Sequence, residues 1–336
     1  MKSFYILILS SILFVSNLFS LTLKDKLQSG KEGDFVVVQQ GSNYSLLSIR
    51  SLNKQRIILE EITVPTNQIK KTHAWRSWVE QKAPDHTSWV MYEIDLLTDH
   101  FLEGYSFTSQ NFLYFDQTEH FFLKMFSLPL IPIPHDLKRK VGPSPTEDAD
   151  RRPLWAPALI VDGKKTKDPR FETVQTNWPK DGSLLAGHRI EFYFNQKESF
   201  PFPYWMQVDH NHYGFKIHAV DSGRSLHSPQ KSLPHRAPQF LGRVQKQDNL
   251  YRLFLRSPLY YSKLLLFALD ISDGTMSKIP ILVQAEKRGK DETVLLEITQ
   301  QALESVLKKG HKYHFIVVPE NESDLSTKSL ETFLFS

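Results

Sequence analysis

Cysteine is absent from all 336 residues. The chain therefore holds no disulfide, and a thiol nucleophile, a thiolate zinc site and an iron–sulfur cluster are excluded. No cysteine follows the apolar N-terminal stretch, so the simplest lipid anchor is missing too. Glycine is sparse at 14 residues. Gly163, Gly182 and Gly187 stand singly at turns, and no phosphate-cradling cluster occurs. There is no G-x-S-x-G elbow. A surplus of one charge is lacking as well: the formal net charge is only +4, with the basic residues scattered. Phosphate binding needs a concentrated basic face, so nucleic acid is excluded as the main partner.

What is present is a length beyond one typical domain, with 40% apolar and 23% charged residues, ordinary for a folded protein with a sizeable core. Aromatic residues reach 12%, with 19 prolines, a mixture that suits strands and irregular loops more than helices. Residues 2–20, KSFYILILSSILFVSNLFS, combine one lysine, an apolar run from Phe4 to Phe19 and the small residue Ser20. That is the pattern of a secretory signal peptide, and the run is too short and serine-rich for a comfortable membrane span. The expectation is an exported chain starting near Leu21, periplasmic or otherwise in the cell envelope, or secreted, with no stable transmembrane segment after cleavage. Retention of the segment as an uncleaved anchor is the rival.

After the leader, Leu23–Gln28 predicts a short helix closed by Ser29-Gly30. Asp34–Gln40, Tyr44–Arg50 and Arg56–Val64 then read as a meander, punctuated by Gly41-Ser42-Asn43 and Ser51-Leu52-Asn53. Pro65 and Thr66 open the one long helix expected, to about Lys82, with Ile69, Thr72, Trp75, Trp78 and Val79 on a single stripe. Residues 88–96 alternate: Val90, Tyr92, Ile94 and Leu96 point one way, Glu93 and Asp95 the other. Thr118–Ser127 predicts a second short helix. Six prolines make 129–153 irregular, a place for a binding loop or lid. Strands resume at Ala156–Val161, Phe171–Trp178, His188–Phe194, Tyr204–Val208 and Phe215–Val220. Residues 226–249, rich in Ser, Pro and basic residues, read as a linker.

From Leu250 on, six strand-like runs surround TQQALESVLKKG, where Thr299 caps a helix, Leu303, Val306 and Leu307 form its stripe, and Gly310 stops it. Leu307, Gly310 and Tyr313 have the spacing L-x-x-G-x-x-Y, followed by alternating Phe315 and Val317 and a last run ending at Phe335. This resembles the tyrosine corner of fibronectin type III and immunoglobulin-like domains, and covers about the last quarter of the chain. The short helix and the lack of an early-strand Trp depart from that family. The resemblance implies a β-sandwich used as a spacer or binding module, and no chemistry.

Candidate chemistry is thin. Asp209, His210, His212, His218 and Asp221 form the densest set of possible metal ligands, with His210, His212 and His218 the imidazole candidates. The competing account is a hydrophilic hairpin tip. Asp85-His86-Thr87-Ser88 holds triad residue types, but neighbours on an extended chain face opposite ways and form no relay. Glu93, Asp95 and Glu103 are potential paired carboxylates of the glycosidase kind, with solvated outward-facing carboxylates the default. In Ser199–Trp205, prolines hold Phe200, Phe202 and Trp205 at defined positions, suited to stacking on sugars or holding acyl chains. The Trp75/Trp78 stripe is either a ligand platform or the face by which a helix packs on a sheet.

The sequence thus predicts a mainly β (β-rich α+β) protein in two domains. Residues 21–225 form an antiparallel-sheet domain with one long packed helix; residues 250–336 form an immunoglobulin-like sandwich. A helix across such a sheet makes an apolar groove, carrying Trp75, Trp78, Phe200, Phe202 and Trp205. The function expected is non-catalytic: binding of a lipid, glycan or envelope protein without a cofactor. The alternatives are a carboxylate- or metal-dependent hydrolase of an envelope polymer, and an adaptor docking a protein through its C-terminal module.

Overall fold

The computed structural model describes residues 21–69, 74–113, 118–143, 150–209, 215–261, 263–284, 292–320, 327–328 and 333–335. The leader-like segment 2–20 lies outside them. After Ser232 the chain divides into two compact units. Among the described residues, no helix is long and apolar enough to cross a membrane.

The first unit opens with α1 (Leu23–Gln28), where Thr22 and Asp25 form a reciprocal cap. Then β1 (Phe35–Gln40), β2 (Asn43–Leu52) and β3 (Arg56–Pro65) form a meander. A short α2 (Trp75–Glu80) follows, and β4 (Ser88–Asp95), β5 (His100–Ser106) and β6 (Asn111–Phe112) extend the sheet. After α3 (Thr118–Ser127) come β7 (Ile131–Pro132), the two-strand ribbon β8 (Ile160–Val161) and β9 (Lys164–Lys165), and a second meander. That meander is β10 (Phe171–Asn177), β11 (Arg189–Asn195), β12 (Trp205–Asp209) and β13 (Lys216–Gly223). Antiparallel pairing of β1 with β13 joins both meanders into one eleven-stranded sheet, in the order β6-β5-β4-β3-β2-β1-β13-β12-β11-β10-β7. The stretch carrying α3 therefore leads from one edge of this sheet to the other, where β7 pairs with β10.

Both sheet faces are covered, so β1 reads as the unbroken apolar run Phe35–Val38 where a half-exposed strand would alternate. Phe35, Val37, Tyr44, Leu46, Ile62 and Val64 pack against Trp75, Trp78 and Val79 of α2. The alternate positions Val36, Ile49, Ile57, Leu59 and Ile94 belong to a separate cluster on the other face, with Leu27 of α1 and Leu123 of α3.

The long helix expected over Pro65–Lys82 does not form. Pro65 instead ends β3, paired with Asn43, and Thr66 donates its N–H to Ser42 O at 2.8 Å. Among the described residues of this stretch only Trp75–Glu80 are helical, and Lys82 and Ala83 take positive φ, which closes the helix; Thr72 of the stripe lies outside the described residues. The stripe is still buried at Ile69, Trp75, Trp78 and Val79. Burial of those side chains, rather than helical propensity, holds the segment on the sheet.

The second unit contains β14 (Gln239–Gln247), β15 (Leu250–Arg256), β16 (Lys263–Asp270), β17 (Met276–Gln284) and β18 (Thr293–Thr299). It continues with α4 (Gln300–Glu304), β19 (Lys312–Pro319), β20 (Thr327–Lys328) and β21 (Phe333–Leu334). One antiparallel sheet is β14-β15-β18; the other is β17-β16-β19-β20, with β21 also on β19. Inward residues of both sheets, among them Tyr251, Leu253, Leu266, Val294, Phe315 and Phe335, make one core. Residues 226–249 are not irregular throughout, because Gln239–Gln247 pair with β15. Their backbone bonds form an edge strand that the sparse apolar residues did not signal.

Lys308 donates its backbone N–H to Tyr313 Oη at 2.7 Å, and the ring is buried. Replacing Tyr313 with Phe deletes this acceptor and leaves the N–H unpaired. A loss of about 1–2 kcal/mol is expected, read by urea unfolding of the whole chain. An unchanged midpoint would show the hydroxyl to be incidental.

Candidate functional site

The sheet face that carries α1 and α3 encloses a cavity of about 290 Å³. Strand alternation aims one residue in two at it. Val36, Leu47 and Glu61 are successive register partners across β1, β2 and β3. Leu59 faces Tyr92, and Ile94 faces Phe101. From the other meander, Phe192, Met206 and Ile217 line the cavity as partners across β11, β12 and β13. Leu23 and Leu27 of α1, Met125 and Phe126 of α3, and Pro201-Phe202-Pro203 complete the wall.

Polar contacts hold the two helices on this face. Lys24 Nζ meets Asp99 Oδ1 at 2.8 Å, and Ser127 Oγ bonds the other oxygen of Asp99 at 3.1 Å. Lys26 pairs with Glu172, and Lys124 with Asp181. Gly30 lets the chain leave α1 closely. A Cβ there would lie 2.6 Å from Ile49 Cδ1 and 2.8 Å from Pro201 Cγ.

Among the described residues lining the cavity, the polar side chains are Glu61 and Tyr92. Tyr92 Oη donates to Glu61 Oε2 at 2.9 Å. Burial, and then the charge of Glu61, push the Tyr92 hydroxyl well above the ordinary tyrosine range, so it stays protonated as a donor. The site offers apolar surface with one hydrogen-bonded carboxylate, a composition suited to an apolar ligand.

Of the residues named from sequence, Phe202 lines the cavity, and Phe200 packs in the same cluster. Trp75 and Trp78 lie on the opposite face, edge-on to each other with ring centroids 5.5 Å apart. Trp205 alternates with the cavity residue Met206 and joins an aromatic nest. Its ring centroid is 4.9 Å from that of Trp155, which also contacts Tyr193 edge-on, while the Arg139 guanidinium covers Trp155 at 5.0 Å. The structure therefore does not gather the five aromatics on one groove.

His210 and His212 lie outside the described residues. His218 stands on β13 beside the Trp205 ring, at 6.2 Å between centroids. Asp221 Oδ1 accepts from the backbone N–H groups of Gly163 and Ser222, and burial raises its pKa. Among the described residues, no three His, Asp or Glu side chains come together to hold a metal ion. His86 Nδ1 is engaged 2.8 Å from Ala83 O, the bond expected of a turn rather than of a relay.

Glu93, Asp95 and Glu103 are not solvated, contrary to the default for an alternating strand. They are buried, 4%, 6% and 2% exposed. Glu93 and Glu103 are cross-strand partners on the face away from the cavity, and Arg56 Nη1 reaches Glu93 Oε1 at 3.4 Å. Asp95 serves the β4–β5 turn. Burial alone would raise its pKa, but donors from Gln55, Thr98 and Leu97 outweigh that and lower it.

A family model described as CT021 protein matches residues 45–167. The matched span carries Glu61 and Tyr92 together with the strands that hold them. A similar solved structure is the 2.0 Å structure of the hypothetical protein CT021 from Chlamydia trachomatis. It is 21% identical, with a TM-score of 0.49, over 64% of this chain and 98% of that one. No curated protein matches the chain.

Most of the cavity wall carries no motif, because it is built from ordinary apolar residues on distant strands. One signal was available. Ile57, Leu59 and Glu61 share a strand parity, so a carboxylate interrupts an apolar face at Glu61.

Proposed function

We propose that this is an exported, non-catalytic binding protein of the cell envelope or extracellular space that holds a lipid-like ligand in its N-terminal unit. The observation that carries the reading is the cavity of about 290 Å³ whose walls are apolar except at Glu61 and Tyr92. A well-packed interior leaves few voids of this size, and one lined by aliphatic and aromatic side chains favours an apolar occupant. The leader-like segment 2–20 supports export, and the absence of cysteine fits a chain stabilised by packing alone.

The test is native mass spectrometry of the full chain from its own host, purified without detergent. The expected result is a mass excess lost on denaturation, followed by release of a molecule with an alkyl or acyl chain. A bare polypeptide mass that stays bare after incubation with single-chain amphiphiles would remove the carrier reading.

A second reading draws on Trp155, Trp205, Tyr193 and Arg139. Aromatic faces beside a guanidinium suit a glycan, and oligosaccharide would then quench tryptophan fluorescence. For the C-terminal unit, we read an immunoglobulin-like module that spaces or docks the protein. The Tyr313 hydroxyl bound to upstream backbone supports this reading.

A further inference from the structure

Glu61 is an unusual residue for the wall of an apolar cavity. Among the described residues its one hydrogen-bond partner is Tyr92, bound through Oε2, and no Lys, Arg or His side chain pairs with it. Among the described residues Oε1 has no donor; Leu47 is the cross-strand partner of Glu61, and Leu59 precedes it by two residues on β3. The Tyr92 hydroxyl proton is already given to Glu61, so it leaves no donor aimed at a ligand anion. A carboxylate in such surroundings attracts a cation or a hydrogen-bond donor and repels a second anion. Glu61 is half-buried, so that preference is stronger than between fully solvated charges.

On the reading of the cavity as a lipid-like site, we infer that its ligand is a single-chain amphiphile with a cationic amine head. The head sits against Glu61, and the alkyl chain runs along Leu47, Leu59, Ile94, Phe192 and Met206. An ammonium offers three donors to an acceptor-only carboxylate, and its charge completes a pair that the described residues leave half made. A fatty acid fits the same apolar walls but sets carboxylate against carboxylate. Glu61 is therefore a specificity-determining residue, and Tyr92 a positioning residue that fixes its rotamer.

The test uses displacement of the neutral probe N-phenylnaphthylamine from the full chain by dodecylamine, dodecanol and dodecanoate, each below its micellar concentration. The amine is expected to displace at a concentration at least about tenfold below the acid, with the alcohol between. Glu61→Gln keeps the shape and removes the charge. It should bring amine and acid within about threefold of each other. Tyr92→Phe retains the carboxylate and should keep the order amine, alcohol, acid, so the inference stays testable if the Gln variant folds poorly. Equal displacement by all three, or tighter binding of the acid, would overturn the choice of head group and leave the apolar site standing. If neither the probe nor any of the three binds, the carrier reading itself fails, and this inference with it.

Discussion

Replacing Glu60 with alanine is expected to cost the N-terminal unit about 3 kcal/mol of unfolding free energy, because one buried carboxylate organises several donors at once. Glu60 is fully buried on the face away from the cavity. Its oxygens accept from Trp89 Nε1 at 2.8 Å, Ser228 Oγ at 2.7 Å and Ser48 Oγ at 3.2 Å, with Arg50 Nε 3.9 Å away. Ser228 belongs to the segment that leaves β13, so the carboxylate fastens that segment to β3. Alanine would leave the indole N–H and two hydroxyls without their acceptor in a dry interior. Glu60→Gln retains one acceptor oxygen and should lose roughly half as much, while Ser228→Ala, which removes a single bond, should lose about 1 kcal/mol. Urea unfolding followed by tryptophan fluorescence reads all three. A loss below about 1 kcal/mol for the alanine variant would mean that water replaces the carboxylate at little cost.

Glu60 and Glu61 show why part of this molecule is legible in sequence and part is not. Local signals place the first strands well. The breaks Gly41-Ser42-Asn43 and Ser51-Leu52-Asn53 locate β2, which runs one residue earlier and two residues later than the expected Tyr44–Arg50, and Ser88–Asp95 forms β4. Thr118–Ser127 forms the helix its pattern suggests. By contrast, two adjacent glutamates look alike until the sheet is assembled. Strand parity then sends one into a hydrogen-bonded network and the other onto a cavity wall. The pairing of β1 with β13 joins residues nearly two hundred positions apart, and no local pattern encodes it. The same limit applies to the aromatics. Phe202 lies on the cavity wall between Pro201 and Pro203, but which sheet face receives Trp75 or Trp205 depends on strand neighbours that the sequence does not list.

Filling the cavity is expected to abolish ligand retention while leaving the fold intact. Leu47 is the residue of choice: it sits mid-strand on β2, between Val36 and Glu61, with its side chain on the cavity wall. In a close-packed core, added volume forces neighbours off their rotamers at a cost of about 1–3 kcal/mol. Here a Leu47→Trp indole enters existing space, so the unfolding midpoint should change little. Binding of an alkyl-chain ligand should weaken by at least about tenfold, equivalent to 1.4 kcal/mol, because the occupied volume is the binding site. Trp75→Phe supplies the opposite pattern. Trp75 packs on Tyr44 and Trp78 across the sheet, with no part in the cavity wall. Its truncation should lower stability by about 1–2 kcal/mol and leave ligand binding unchanged. The two variants together separate a ligand on the α1/α3 face from one held by the tryptophan stripe. Were Leu47→Trp to bind as wild type and Trp75→Phe to lose the ligand, the site would have to be moved to the other side of the sheet.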